Sequence, residues 1–246
     1  MDVVILCGGM GTRMREETDI RPKPMVEING KPILWHIMKY YSHYGHTKFI
    51  LALGYKGEYI KKYFEAGPKV HSRPHEKHWE IVCIDTGLNT LKGGRIKRLE
   101  PYIKTDNFCL TYGDGVSNVD LKKLAVFHLK HGRIGTVTAV HPPSRFGEML
   151  IEAERVVEFE EKPQLTTGYI NGGFFVFKKK LLKFLTADEN CDLEFGALQK
   201  LSKQNELMAY KHEGYWQCMD TVRDVQYLNK LWDAGNPPWK IWRDDV

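Results

Sequence analysis

Val3-Val4-Ile5-Leu6-Cys7-Gly8-Gly9-Met10-Gly11-Thr12-Arg13-Met14 is an apolar run that breaks into three glycines and then offers a hydroxyl and a guanidinium. A short, unbroken apolar run bounded by glycine reads as a strand buried on both faces, the kind a parallel sheet needs. The glycines let the main chain approach a ligand closely and aim successive N–H groups at anionic oxygens, which suits a nucleoside triphosphate. The loop is neither of the two best-known phosphate cradles. It lacks a following Lys-Ser/Thr pair, and the dinucleotide pattern counted from Gly9 and Gly11 would need glycine at Met14. On its own it is equally compatible with a tight strand-to-helix turn that binds nothing.

Downstream, Arg21-Pro22-Lys23-Pro24 forms a stiff arm, because each proline fixes its own φ and pushes the preceding residue toward an extended shape. Lys23 is held out on that arm. A helix from Pro32 to about Tyr44, a strand Phe49 to Leu53, a helix Glu58 to Glu65 and a strand Glu80 to Asp85 continue the alternation. Between them, His71, His75 and His78 lie in an irregular excursion without a carboxylate or cysteine partner at useful spacing, so a surface loop or subunit contact is favoured over a metal site. In Gly93-Gly94-Arg95-Ile96-Lys97-Arg98, Arg95 beside two glycines is the member expected to meet a phosphate.

Phe108 to Tyr112 is another buried-strand run, ending in Gly113-Asp114-Gly115; a carboxylate at the C-terminal end of such a strand stands where α/β folds bind ligands. Asp120 reads as a cap for a helix ending at Gly132, and Ile134 to Val140 as a strand. The pattern then turns antiparallel: a hairpin of Glu148 to Ile151 with Val156 to Glu160, and a strand Tyr169 to Phe177. Short helices at Lys179 to Leu185 and Asp192 to Lys203 follow, then strands Glu206 to Tyr210 and Tyr215 to Cys218. Met219-Asp220-Thr221 leads into a last helix, Val222 to Trp232. The tail Pro237-Pro238-Trp239-Lys240-Ile241-Trp242 is too aromatic to stay in water.

Composition bounds the function class. The 246 residues are 42% hydrophobic and 27% charged, an ordinary balance for a soluble globular chain, which excludes disordered and fibrous readings. No apolar run approaches a membrane span, and a cytoplasmic protein is expected. Five scattered cysteines without a C-x-x-C pair point to reduced thiols rather than disulfides or zinc. The net charge of +5 is dispersed, with no aromatic-interleaved basic stripe, so a small polyanionic ligand explains it as well as nucleic acid does. Asp114 and Asp220 together are enough for Mg²⁺, which commonly takes one or two carboxylates plus phosphate oxygens and water. Singly, Asp114 also reads as a turn residue and Asp220 as an N-cap.

These segments resemble the nucleotidyltransferases that make activated sugars. GGMGTRM, the Glu161-Lys162-Pro163 box and the Asn171-Gly172-Gly173 box carry the superfamily likeness. KPILWHIMKYY, the IDTG to GGRIKR segment and the tryptophan-rich tail point to the branch of the glucose-1-phosphate cytidylyltransferases. The resemblance implies a Rossmann-like mixed sheet flanked by helices, of the type shared with glycosyltransferase-A folds, with an inserted antiparallel region. It implies one domain over 1–246: a nucleotide-binding half to about 140, an acceptor-binding half over about 141–220, and a C-terminal helix and tail. By the same resemblance Leu6, Cys7, Gly8, Gly9, Gly11, Thr12, Arg13, Lys23, Thr86, Arg95 and Asp114 would hold CTP, and Asp114 and Asp220 Mg²⁺. Tyr112, Gly147, Glu161, Lys162 and Asn171 would hold the phosphorylated acceptor; Arg13, Lys23, Asp114 and Lys162 would carry catalysis. A homo-oligomer is implied, with no nucleic-acid or membrane partner. Two segments depart from the family's pattern: the excursion between Phe64 and Glu80 is shorter, and DLEFGAL at 192–198 replaces a WEQEPL-like stretch, which leaves another sugar 1-phosphate or a non-sugar phosphate open as acceptor.

Overall fold

A computed structural model describes residues 1–65, 78–142, 147–161 and 168–243, with the backbone alone at 147, 148, 150, 160 and 161. The main sheet is built from β1 (Val3–Leu6), β2 (Lys48–Leu53), β3 (Glu80–Asp85), β4 (Asn107–Tyr112), β5 (Gly135–Val140), β6 (Ile170–Asn171), β7 (Phe175–Lys178) and β8 (Leu207–His212). β1 lies in the middle, parallel to β2 on one side and β4 on the other, and β3 extends the parallel part beyond β2. β7 joins β4 antiparallel, β5 joins β7, and β6 and β8 both pair with β5. The sheet is therefore mixed, as expected.

Period-two burial explains the layers. Val3, Ile5, Phe49 and Leu51 enter one core with the helix Ile33–His43, while Val4, Leu6, Ile50 and Leu110 enter a second core with Ile96, Leu181 and Leu193 on the opposite face. The helix Ile33–His43 is buried over Ile33 to Tyr41, all round its circumference, because the C-terminal tail covers its outer side. Trp239 and Trp242 are almost fully buried, and their rings lie 6.3 Å from His36 and 6.0 Å from Trp35 respectively. The tail thus packs on its own chain. All five cysteines are free thiols, and among the described residues no helix is long and apolar enough to cross a membrane.

Two expectations need correction. The run from Tyr169 to Phe177 is not one strand: the chain leaves the ladder after Asn171 and rejoins at Phe175, with Gly173 and Phe174 at φ of 74° and 46°. This break is a bulge, which re-aims side chains. The helix expected over Asp192 to Lys203 begins instead as a π-helical turn, Leu193–Leu198, with Asp192 capping Phe195 N at 2.7 Å, and becomes α-helical only over Gln199–Lys203. His71 and His75 fall outside the described residues.

Burial of His36 among tryptophans disfavours its charged form and pushes its pKa down to about 4. On acidification the unfolded chain takes up this proton first, so stability falls as pH drops from about 6.5 to about 4. His36 alone contributes a loss of roughly 2 kcal/mol between pH 7 and 5. Urea titrations at the two pH values should show it, and His36→Gln, though less stable at pH 7, should lose less on acidification. An equal loss in both proteins would assign the acid sensitivity elsewhere.

Candidate active site

The order of strands decides where a ligand can sit. From β1 the chain steps outward to β2 and β3, then returns to the other side of β1 as β4, so the connections diverge between β1 and β4 and leave a crevice at their C-terminal ends. Leu6 and Tyr112 are in register there, and Gly113 N donates to Leu6 O at 3.1 Å. The glycine loop and Gly113-Asp114 consequently line opposite edges of one cleft of about 370 Å³.

Gly8 is required by close approach: a Cβ there would stand 2.2 Å from Arg95 Nη1. Gly11 is required by conformation. Its φ of 63° turns the chain into the short helices Thr12–Met14 and Arg15–Thr18, and Thr18 Oγ1 donates back to Met14 O at 3.0 Å. Gly8, Gly9, Gly11, Thr12 and Arg13 all line the cleft, as do Leu6 and Cys7; burial pushes the Cys7 thiol well up, so it stays neutral.

Arg95 and Thr86 are both buried. The Arg95 guanidinium is buried beneath the loop and donates to Gly8 O, Leu53 O, Gly87 O, Leu88 O and Thr86 Oγ1 at 2.7–3.1 Å. Thr86 is fully buried and donates to Leu53 O at 2.6 Å. Four of these five acceptors are main-chain oxygens, so the pair braces the loop, and Arg95 also lines the cleft.

Lys23 reaches the cleft from its proline arm, where Pro22 is extended and Lys23–Met25 forms one tight turn. Its ammonium lies 2.6 Å from Asp114 Oδ2 and 2.6 Å from Asp220 Oδ1, and Arg13 Nη1 lies 2.9 Å from Asp220 Oδ2. Burial disfavours the charge on Lys23, but the two aspartates outweigh it and hold its pKa above the ordinary lysine value. For Asp220 burial acts upward and Lys23 and Arg13 win, leaving it below the usual carboxylate range. Asp220 is not the N-cap of the last helix, Val222–Asp233. Thr221 takes that role, with Asp224 closing a capping box, so Asp220 is released to face Lys23.

One lysine nitrogen within 2.6 Å of both carboxylates marks a point where a single cation meets two hard oxygen donors. Among the described residues no group of three or more His, Cys, Asp or Glu gathers for a metal. The pair therefore fits a divalent ion that brings the rest of its shell from phosphate and water.

Beside the cleft-lining Tyr112, Asn171 donates through Nδ2 to Tyr112 Oη at 2.9 Å, and Tyr112 Oη donates to Glu194 Oε1 at 2.8 Å. Lys92 Nζ also binds Glu194 Oε1 and lies 5.2 Å from the Tyr112 ring centroid. Lys92 and Glu194 were not among the residues singled out from sequence. The basic stretch drew attention to Arg95, and DLEFGAL was notable only as a departure. Gly147 and Glu161 pair at one end of the two-stranded ribbon Gly147–Glu152 with Arg155–Glu161, and Lys162 lies outside the described residues.

The pattern of the nucleotidyl transferase family matches residues 2–236. The chain belongs to the nucleotidyl transferase family. Glucose-1-phosphate cytidylyltransferase of Salmonella typhi is 46% identical over 98% of this chain and all of its own length. A probable glucose-1-phosphate cytidylyltransferase of Bacillus subtilis is 42% identical over the same share of this chain. The crystal structure of a UDP-glucose pyrophosphorylase complexed with UDP-glucose superposes with a TM-score of 0.74, covering 96% of this chain and 99% of that one; at 16% identity this likeness is one of fold. This nucleotidyl transferase shares the mixed sheet of that enzyme.

Proposed function

We propose that this nucleotidyl transferase moves CMP from CTP to α-D-glucose 1-phosphate, giving CDP-glucose and pyrophosphate. The observation that carries the reading is the cation cluster under the glycine loop, Lys23 between Asp114 and Asp220 with Arg13 at its edge. Near-complete coverage at 46% and 42% identity to the two cytidylyltransferases supports the choice of CTP and glucose 1-phosphate.

A phosphate oxygen of the acceptor attacks the α-phosphorus of CTP, a P–O bond forms there, and the bond to the β-phosphate oxygen breaks in line to release pyrophosphate. The acceptor needs no base, because a phosphate monoester with a second pKa near ~6 is already largely dianionic at neutral pH. The obstacle is repulsion between two polyanions. Main-chain N–H groups of the glycine loop hold the triphosphate, Arg13 and Lys23 turn from the aspartates onto the leaving phosphates, and Lys162 neutralises the attacking phosphate. Asp114 and Asp220 would hold Mg²⁺, which when bound supplies Lewis-acid neutralisation of phosphate charge. Glu161 and Asn171 take the sugar hydroxyls, with Tyr112 and Gly147 beside them. Positioning and charge stabilisation carry the catalysis. The reaction belongs in the cytoplasm, within a homo-oligomer of single-domain subunits.

One observation favours a different phosphorylated acceptor: the segment Leu193–Leu198, which departs from the family's pattern and sets Glu194 against Tyr112. A cross of ATP, CTP, GTP and UTP against a panel of sugar 1-phosphates and non-sugar phosphates, read by pyrophosphate release, decides between the two. CTP with glucose 1-phosphate is expected to give the highest kcat/KM. Faster release with another acceptor would transfer the assignment to that phosphate, and release with no combination would reject transferase activity.

A further inference from the structure

The network on the acceptor wall joins residues from four separate parts of the chain. Lys92 begins the helix Lys92–Arg98, Tyr112 ends β4, Asn171 ends β6, and Glu194 comes from the π-helical turn Leu193–Leu198. Its hydrogen bonds have one consistent direction. Asn171 Oδ1 accepts from Gly173 N at 2.9 Å, so its amide group faces Tyr112; the Tyr112 oxygen receives that N–H and must send its own proton to Glu194. Glu194 is acceptor-only and ends the chain, and the same oxygen binds Lys92.

Two features separate this from an ordinary surface ion pair. A single π-helical turn is rare and recurs at functional sites; here it turns Glu194 inward while its neighbour Phe195 is 82% exposed. Glu194 Oε2 is buried without a hydrogen-bond partner among the described residues, an arrangement that costs stability.

We propose that Glu194 is a positioning residue for the phosphorylated acceptor: through Tyr112 it fixes the amide of Asn171, and directly it holds Lys92 as a further cation on the acceptor wall of the cleft. This rests on the transferase reading above and adds residues to it. Lys92 and Tyr112 line the same cleft as Lys23. A carboxylate that holds Lys92 and Tyr112 together couples the acceptor's charge to its hydroxyl recognition, so a phosphate and a sugar must be presented in one fixed relation.

The test is a separation of kinetic constants. The wild type, Glu194→Ala and Glu194→Gln are assayed for kcat and for the KM of CTP and of glucose 1-phosphate, with thermal melting alongside. Glu194→Ala should raise the acceptor KM roughly tenfold or more, the loss of a charge-assisted hydrogen bond, with CTP KM within about twofold. Glu194→Gln keeps a carbonyl oxygen for both donors and should recover most of the loss. If Glu194→Ala does not fold, Tyr112→Phe removes only the relay hydroxyl and should show the same selective rise. An unchanged acceptor KM, or an equal rise in both KM values with a lowered melting temperature, would make Glu194 a structural tether and overturn the proposal. A wild type that makes no CDP-glucose instead rejects the substrate assignment, and the comparison is then run with whichever phosphate the panel identifies.

Discussion

Lys23→Ala lowers kcat on the order of a thousandfold, the scale on which a single charge stabiliser acts in phosphoryl transfer. The ammonium lies 2.6 Å from each aspartate, and it is also the cation carried on the rigid proline arm toward the triphosphate. Its removal takes away leaving-group charge stabilisation and leaves Asp114 and Asp220 facing each other. The cluster is partly open to water, with the Asp114 and Asp220 side chains 29% and 19% exposed, so water takes over part of the lost pairing and activity falls far more than the melting temperature. Lys23→Arg does not rescue, because a planar guanidinium cannot occupy a point set for one compact ammonium. Stopped-flow or steady-state pyrophosphate release beside a melting curve checks this. Near-normal turnover in either variant would remove Lys23 from the reacting centre.

Arg95→Met is the second large effect, and it appears first in stability. The guanidinium serves three main-chain oxygens of the loops that follow β1 and β3, the last carbonyl of β2, and the Thr86 hydroxyl. Leu53 O keeps other donors, from Thr86 N and Thr86 Oγ1, and Gly8 O keeps Tyr55 N. Gly87 O and Leu88 O lose the donor that ties them to the loop, and the cavity beneath Gly8 opens. Both carbonyls lie in a part-exposed stretch, with Leu88 52% exposed, where water takes over part of the lost bonding, so a loss of about 1–3 kcal/mol is expected in urea titration. CTP binding weakens as a consequence of the loosened loop. A residue that merely touched phosphate would weaken CTP binding with no loss of stability, and that result would restore the expectation drawn from the sequence.

Where sequence reading succeeded and where it failed follows from what each residue's role depends on. β1 and its glycine loop were legible because both signals are local: an apolar run needs burial, and a glycine with φ of 63° needs no distant partner to explain it. Asp120 was legible as a cap for the same reason, and it accepts from Lys123 N at 2.9 Å. Asp220 was ambiguous because a cap and a cation ligand look alike in sequence; the capping box of Thr221 and Asp224 separated them. The grip of Arg95 on main-chain carbonyls was illegible because a guanidinium beside glycines is chemically equal to the task of binding phosphate or main-chain carbonyls. Only the fold shows it packed beneath Gly8. The π-turn that delivers Glu194 was illegible because it answers to tertiary packing against Tyr112.

The central claim is that the acceptor phosphate attacks the α-phosphorus of CTP. CTP labelled with ³²P at the α position, incubated with glucose 1-phosphate and Mg²⁺, tests it in one chromatogram. The label should appear in CDP-glucose, with unlabelled pyrophosphate released in equal amount and no labelled product from Lys23→Ala over the same time. Label in free CMP or CDP with no sugar nucleotide formed would contradict it.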